Sequence, residues 1–232
     1  MISENIRNIQ ERIDQSCRKT GRNPETVTLV AVSKTFGPDL VINAARTGIV
    51  DIGENYVQEL VDKRRYVANS QIRWHFIGHL QTNKVKYIAE WITMIHSVDS
   101  VSLAKEINKR AANAGRTIDV LIEVNTSDEA SKYGVPPDGS AVLLQEIALF
   151  PSLRVRGLMT IGPFLPDPEE SRPSFRCLRN LFDEANRSGY LAAPMDHLSM
   201  GMTHDFEVAI QEGATIVRIG TAIFGSRRRV ER

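Results

Sequence analysis

Residues 27–33 read VTLVAVS and run straight into Lys34. The run is short, apolar and β-branched, the pattern of a strand buried on both faces. The same unit, such a run followed by a helical stretch, recurs down the chain. Further strand-like runs are VDIG (50–53), RWHFIG (73–78), TMIHSV (93–98), IDVLIEVN (118–125), LRVRGLMT (153–160), MDHLSM (195–200) and TIVRIG (215–220). Between them lie helix-like stretches at 38–47, 55–68, 82–90, 100–114, 139–150, 169–188 and 205–212. Ahead of the first strand, Ile2, Ile6, Ile9 and Ile13 recur at helical spacing, and Gly21 and Pro24 stop that helix.

Strand–helix alternation means parallel strands joined by crossover helices. Eight units after one extra helix predict an α/β fold, a single (β/α)8 TIM barrel spanning residues 1–232 as one domain. An open doubly wound sheet is the competing arrangement. It would carry a glycine-rich turn after its first strand, and here that turn is SKTFGP (33–38).

The 232 residues are 42% hydrophobic and 25% charged, with a net charge of +1. That is an ordinary globular composition, with no bulk attraction for nucleic acid or anionic membrane. The N-terminus lacks a signal-type apolar segment and no run is long enough to span a bilayer, so a cytoplasmic, soluble protein is expected. Cys17 and Cys177, far apart in helix-like segments, read as two thiols in a reducing compartment. The basic tail SRRRVER (226–232) reads as a solvated end.

In such barrels chemistry sits at the C-terminal ends of the strands. Lys34 leaves the first strand there. Desolvation lowers a lysine's pKa, and a neutral amine attacks an aldehyde to form a Schiff base; a lysine snorkelling to solvent is the competing reading. Asn55 follows the second strand as a mouth residue or as the N-cap of the next helix. His75 and His79 are four apart, but they straddle a strand end without an evident third ligand. No metal is therefore expected, and His75 reads rather as a satisfied barrel-wall residue. Glu123 and Asn125 alternate onto one side, the carboxylate suited to a barrel arginine, and Lys132 is a second candidate amine or a solvated one. LSMGMTHD (198–205) and RIGTAIFG (218–225) place Ser199, Gly201, Thr203, Gly220 and Thr221 where barrels bind phosphate, with TAIFG as a short helix and Arg218 inside the last strand. The proline-rich stretch 160–173 is either a lid or a surface connection. An aldehyde and a phosphate together suit pyridoxal phosphate, and a phosphosugar aldolase-like ligand as well.

The segments VAVSKT, DIGENYVQEL, WHFIGHLQTNK, HSVDS, GLMTIGP, LSMGMTHD and VRIGTAIFG, in this order, closely resemble the pyridoxal phosphate homeostasis proteins, also called proline synthetase co-transcribed homologues. The resemblance covers nearly the whole chain. It implies a barrel like the N-terminal domain of alanine racemase, with pyridoxal 5'-phosphate (PLP) as a Schiff base on Lys34. It implies that Ser199, Gly220 and Thr221 hold the phosphate, that Gly201 shapes the loop, and that Arg218 lies near the pyridine nitrogen. Asn55, His75 and Met159 would line the pocket beside the ring. Two positions depart from the pattern: Phe36 stands where many relatives carry a second lysine, and His204 where an acidic residue is common, which predicts a weaker cap for the following helix.

Racemases and decarboxylases of this fold add a β-domain that closes the site and supplies a second acid/base residue. This chain ends soon after the eighth strand, so the expectation is a non-catalytic protein that buffers or delivers PLP in vitamin B6 homeostasis. Its partners would be PLP and PLP-dependent apoenzymes, without nucleic acid or membrane, as a monomer or weak homodimer. The alternative is a weakly active PLP-dependent racemase or decarboxylase.

Overall fold

The computed structural model describes residues 1–67, 71–127, 129 and 132–225. Eight strands form a closed parallel barrel in sequence order: β1 Thr28–Val32, β2 Asp51–Glu54, β3 Arg73–Phe76, β4 Met94–Val98, β5 Ile118–Glu123, β6 Leu153–Met159, β7 His197–Ser199 and β8 Ile216–Ile219. β8 pairs with β1 through Thr28–Ile216 and Val30–Arg218, which closes the sheet and excludes the open arrangement. The helices are α1 Ile2–Lys19, α2 Pro38–Ala45, α3 Val57–Tyr66, α4 Val101–Asn113, α5 Ser140–Ile147, α6 Arg172–Ser188, α7 Phe206–Gln211 and α8 Thr221–Phe224.

Most of the core lies between barrel and helices, because each crossover helix buries one apolar face on the sheet. A smaller apolar cluster, Val30, Met94, Leu121, Met159 and Ile216, fills the barrel interior. The extra helix α1 buries Ile6, Ile9, Ile13 and Cys17 and packs across α7 and α8. Each isoleucine buried there contributes about 1.5–3 kcal/mol. Arg22, just beyond α1, forks onto the carbonyls of Ile210 and Ala214 at 2.7 and 2.9 Å.

The third crossover departs from expectation. Instead of an α-helix over 82–90 there is a 3-10 helix, Thr82–Tyr87. Val85 and Ile88, three apart, are both fully buried, and the segment packs against α4 and α3. The stretch 169–188 divides into a 3-10 turn, Pro168–Ser171, and α6. Cys17 and Cys177 form no disulfide, and among the described residues no helix is long and apolar enough to cross a membrane. The basic tail lies outside the described residues.

Candidate functional site at the barrel mouth

The loops after β1, β2, β3, β6, β7 and β8 line a cavity of about 450 Å3 at the C-terminal end of the barrel. Lys34, immediately past β1, lines it, as do Asn55 past β2, Arg218 within β8, and Gly220 and Thr221 past β8. Apolar walls come from Val32, Ile77, Ile161, Pro163, Phe164 and Met202. An enclosure of this size, mostly apolar with a few convergent polar groups, suits a small molecule.

Three local features bear on what fits there. Tyr56, not Asn55, occupies the N-cap position of α3, without a side-chain cap. The Asn55 amide oxygen is buried and has no hydrogen-bond partner among the described residues, so the capping reading fails and an acceptor is left for a ligand. α8 begins at Thr221, so the N–H groups of Thr221 and Ala222 have no acceptor within the helix. The Thr221 hydroxyl donates to Thr203 Oγ1 at 3.2 Å and joins the loops after β7 and β8. These groups fit a ligand with a phosphate, an apolar ring and an aldehyde.

Four expected residues lie away from the lining. Met159 is fully buried in the interior cluster. Gly201, at φ +90, passes so close to α7 that a Cβ would stand 2.5 Å from that of Ala209; its conformational freedom serves helix packing. Ser199 and His75 belong to a buried hydrogen-bonded row inside the barrel. Arg218 Nη1 donates to Ser199 Oγ at 2.6 Å and Nη2 to the Thr160 carbonyl at 2.8 Å. Ser199 Oγ meets His96 Nδ1, His96 Nε2 meets His75 Nδ1, and His75 Nε2 meets Asp51 Oδ1, each at 2.9 Å. Asp51 also takes Arg73, through Nε at 2.7 Å.

The two ends of this row have fixed roles. Arginine only donates and a carboxylate only accepts. Arg218 therefore donates to Ser199 Oγ at one end, and His75 Nε2 donates to Asp51 at the other. Burial holds the His96 pKa well below the usual value. Burial lowers the Arg218 pKa to about 10, with Glu123 and Asp205 opposing, so Arg218 stays charged at neutral pH. Glu123 is pushed up to about 7 by burial and by Asp99, against Arg218.

Asp51 and His96 were not legible as site residues, although both fall on the inward phase of the strand alternation that carries Ser199 and Arg218. The loop 160–173 supplies part of the wall and is tied down. Lys132 Nζ donates to the Gly162 carbonyl at 3.0 Å, and Ser171 Oγ to that of Pro163 at 3.3 Å. Lys132 also pairs with Glu129 at 2.7 Å. α7 begins without a side-chain cap: Asp205, not His204, holds its N-cap position and turns its carboxylate back to the Met202 N–H at 2.7 Å, while the His204 ring donates to the Pro166 carbonyl at 2.9 Å. Phe36 packs its ring on Phe224 of α8, centroids 5.4 Å apart. Asn125 turns into its own loop, donating to the Glu129 carbonyl at 3.0 Å. Among the described residues no metal-ligand cluster occurs.

The family described as alanine racemase, N-terminal domain, matches residues 2–228. A pyridoxal phosphate homeostasis protein of Aquifex aeolicus is 47% identical, over 97% of this chain and 98% of the relative. A crystal structure of an unknown protein from Bifidobacterium adolescentis superimposes with a TM-score of 0.89 at 37% identity, covering 96% of this chain and 94% of that one. PipY of Synechococcus elongatus PCC7942, solved with PLP bound, superimposes with a TM-score of 0.84 at 29% identity, covering 97% of this chain and all of PipY. The strand order, the closed barrel and these likenesses along nearly the full length agree: the chain belongs to the pyridoxal phosphate homeostasis proteins, within the alanine racemase N-terminal domain family.

Proposed function

We propose that this protein binds PLP covalently through Lys34 and serves as a non-catalytic, cytoplasmic carrier in vitamin B6 homeostasis, passing the cofactor to PLP-dependent apoenzymes. The observation that carries this reading is the convergence of Lys34, Arg218 and the Gly220–Thr221 turn on one cavity. The PLP held by PipY supports it. When bound, the cofactor supplies an aldehyde that condenses with an amine, losing water, and a phosphate that needs N–H donors.

Each residue then has a distinct task. Lys34 presents its amine from the end of β1. Thr221 and Ala222 offer backbone N–H groups and the positive end of α8 to the phosphate, and Gly220 brings that turn against β1. Asn55 offers its unpartnered oxygen. Arg218 uses two N–H bonds on Ser199 and Thr160 and keeps others for the pyridine nitrogen. A charged guanidinium there leaves the ring nitrogen unprotonated and the ring a poor electron sink, which favours carriage over carbanion chemistry. Ser199 and His75 work beneath, through Arg218. Met159 fills the interior below, and Gly201 lets the loop after β7 lie on α7.

The test loads the purified protein with PLP, removes the excess, reduces with borohydride and maps the labelled peptide, beside Lys34→Ala. The expected result is one label per chain on Lys34, none in the variant, and no turnover when the loaded protein meets amino acids. A label on Lys132 or spread over surface lysines overturns the site. Sustained racemisation or decarboxylation overturns the carrier role and favours the enzyme.

A further inference from the structure

The turn that carries Lys34 is fastened from outside the cavity, on both sides of the lysine. Lys63 of α3 is buried, its side chain 6% exposed. Its ammonium donates to the Ser33 carbonyl at 2.7 Å, to Glu54 Oε1 at 2.5 Å and to Glu59 Oε2 at 3.2 Å. Ser33 Oγ donates to the same Glu54 oxygen. Glu59 Oε2 also accepts the Thr35 N–H at 2.8 Å. The residue before Lys34 is therefore held by Lys63 and the residue after it by Glu59. Those two partners are four apart on one helix and paired with each other.

What is being held is unfavourable by itself. Thr35 has φ +69 and is the one non-glycine residue with positive φ among the described residues. A β-branched residue there is a strained outlier, and such strain persists where surrounding contacts over-determine it. A buried lysine is a second cost in the same place, and Glu54 Oε2 beside it has no partner among the described residues. Both lie at the peptide of one residue, Lys34.

We propose that Glu59, braced by Lys63, is a positioning residue for Lys34: it holds the left-handed turn at Thr35 that aims the lysine amine into the cavity, toward an aldehyde ligand. The proposal rests on the reading of Lys34 as the attachment point.

Glycine adopts positive φ at no steric cost, which makes the test specific. The rate at which borohydride-trapped PLP accumulates on Lys34 is compared in the unmodified protein, Glu59→Ala, Thr35→Gly and the double variant. Glu59→Ala leaves Lys63 its bonds to Glu54 and Ser33, so the fold is expected to persist. The expected result is labelling at least about tenfold slower in Glu59→Ala, within about threefold of the unmodified rate in the double variant, and unchanged in Thr35→Gly. Amide exchange at Thr35, followed by NMR without cofactor, is expected to speed up at least about tenfold in Glu59→Ala. Unmodified labelling kinetics in Glu59→Ala overturn the proposal. So does a slow Glu59→Ala that glycine at position 35 fails to restore, since loss of fold or of charge would give that result. A label away from Lys34 in the unmodified protein instead overturns the function on which the proposal rests.

Discussion

The two ends of the barrel treat their polar groups in opposite ways. At the N-terminal end, cross-strand ion pairs match arginine forks to carboxylates. Arg73 takes Asp51, Arg154 takes Asp119, and Arg156 bridges Asp119 and Asp196. At the C-terminal end, polar groups are left in want. Glu54 Oε2, Asn55 Oδ1 and Ser97 Oγ are buried without partners among the described residues. Burial there pushes Glu123 up and Arg218 down in pKa, and Thr35 is strained. One end is arranged for stability; the other, around the cavity, gives up some of it.

Substitutions at the two ends should therefore have opposite signs. The largest effect is expected at Asp51. Asp51→Ala strands the buried His75 donor and should cost about 3 kcal/mol, lowering Tm by roughly 6–12 °C in a chain of this size. A calorimetric shift below 2 °C would break the comparison.

Glu123→Gln should do the reverse, with a pH signature. The folded pKa of about 7 lies above the ordinary 4.5. The folded state therefore binds the proton more tightly, and that contribution is present below about pH 4.5 and lost as pH rises through about 7. Glutamine has no such loss. Urea unfolding should show the variant level with the unmodified protein at pH 4.5 and more stable by up to about 3 kcal/mol at pH 8. A gap that does not change with pH would remove Glu123 from the strained set.

The smallest effect sharpens the other side. Arg154 is 60% exposed, and Asp119 keeps Arg156 without it. Arg154→Ala should cost under about 1 kcal/mol in the same unfolding assay. A cost above 2 kcal/mol would mean that the ion pairs act as one network.

The sequence disclosed the barrel because eight short apolar runs at regular spacing have few other ways to be buried. It missed the 3-10 crossover at Thr82–Tyr87 because Val85 and Ile88, three apart, serve either helix type. Lys34, Asn55, Gly220 and Thr221 were legible because position just past a strand fixes location at the mouth. His75 and Met159 were expected beside the ring and Ser199 at the phosphate, but all three lie inside the barrel, away from the cavity lining. Alternation tells which way a strand residue points, whereas its depth along the axis depends on strand tilt and stagger, set by the closed assembly. Glu59 and Lys63 show an i,i+4 pattern in sequence, but nothing local says that the pair fastens the turn at Thr35.

The row from Arg218 to Asp51 bears on how the barrel responds to charge. A medium screens a new charge by turning its dipoles. Here two imidazoles and a hydroxyl are pinned between a group that only donates and one that only accepts, so none can turn alone. A charge placed at the mouth therefore meets an interior that is electrically stiff. The row thus contributes a field already set, at little cost in reorganisation.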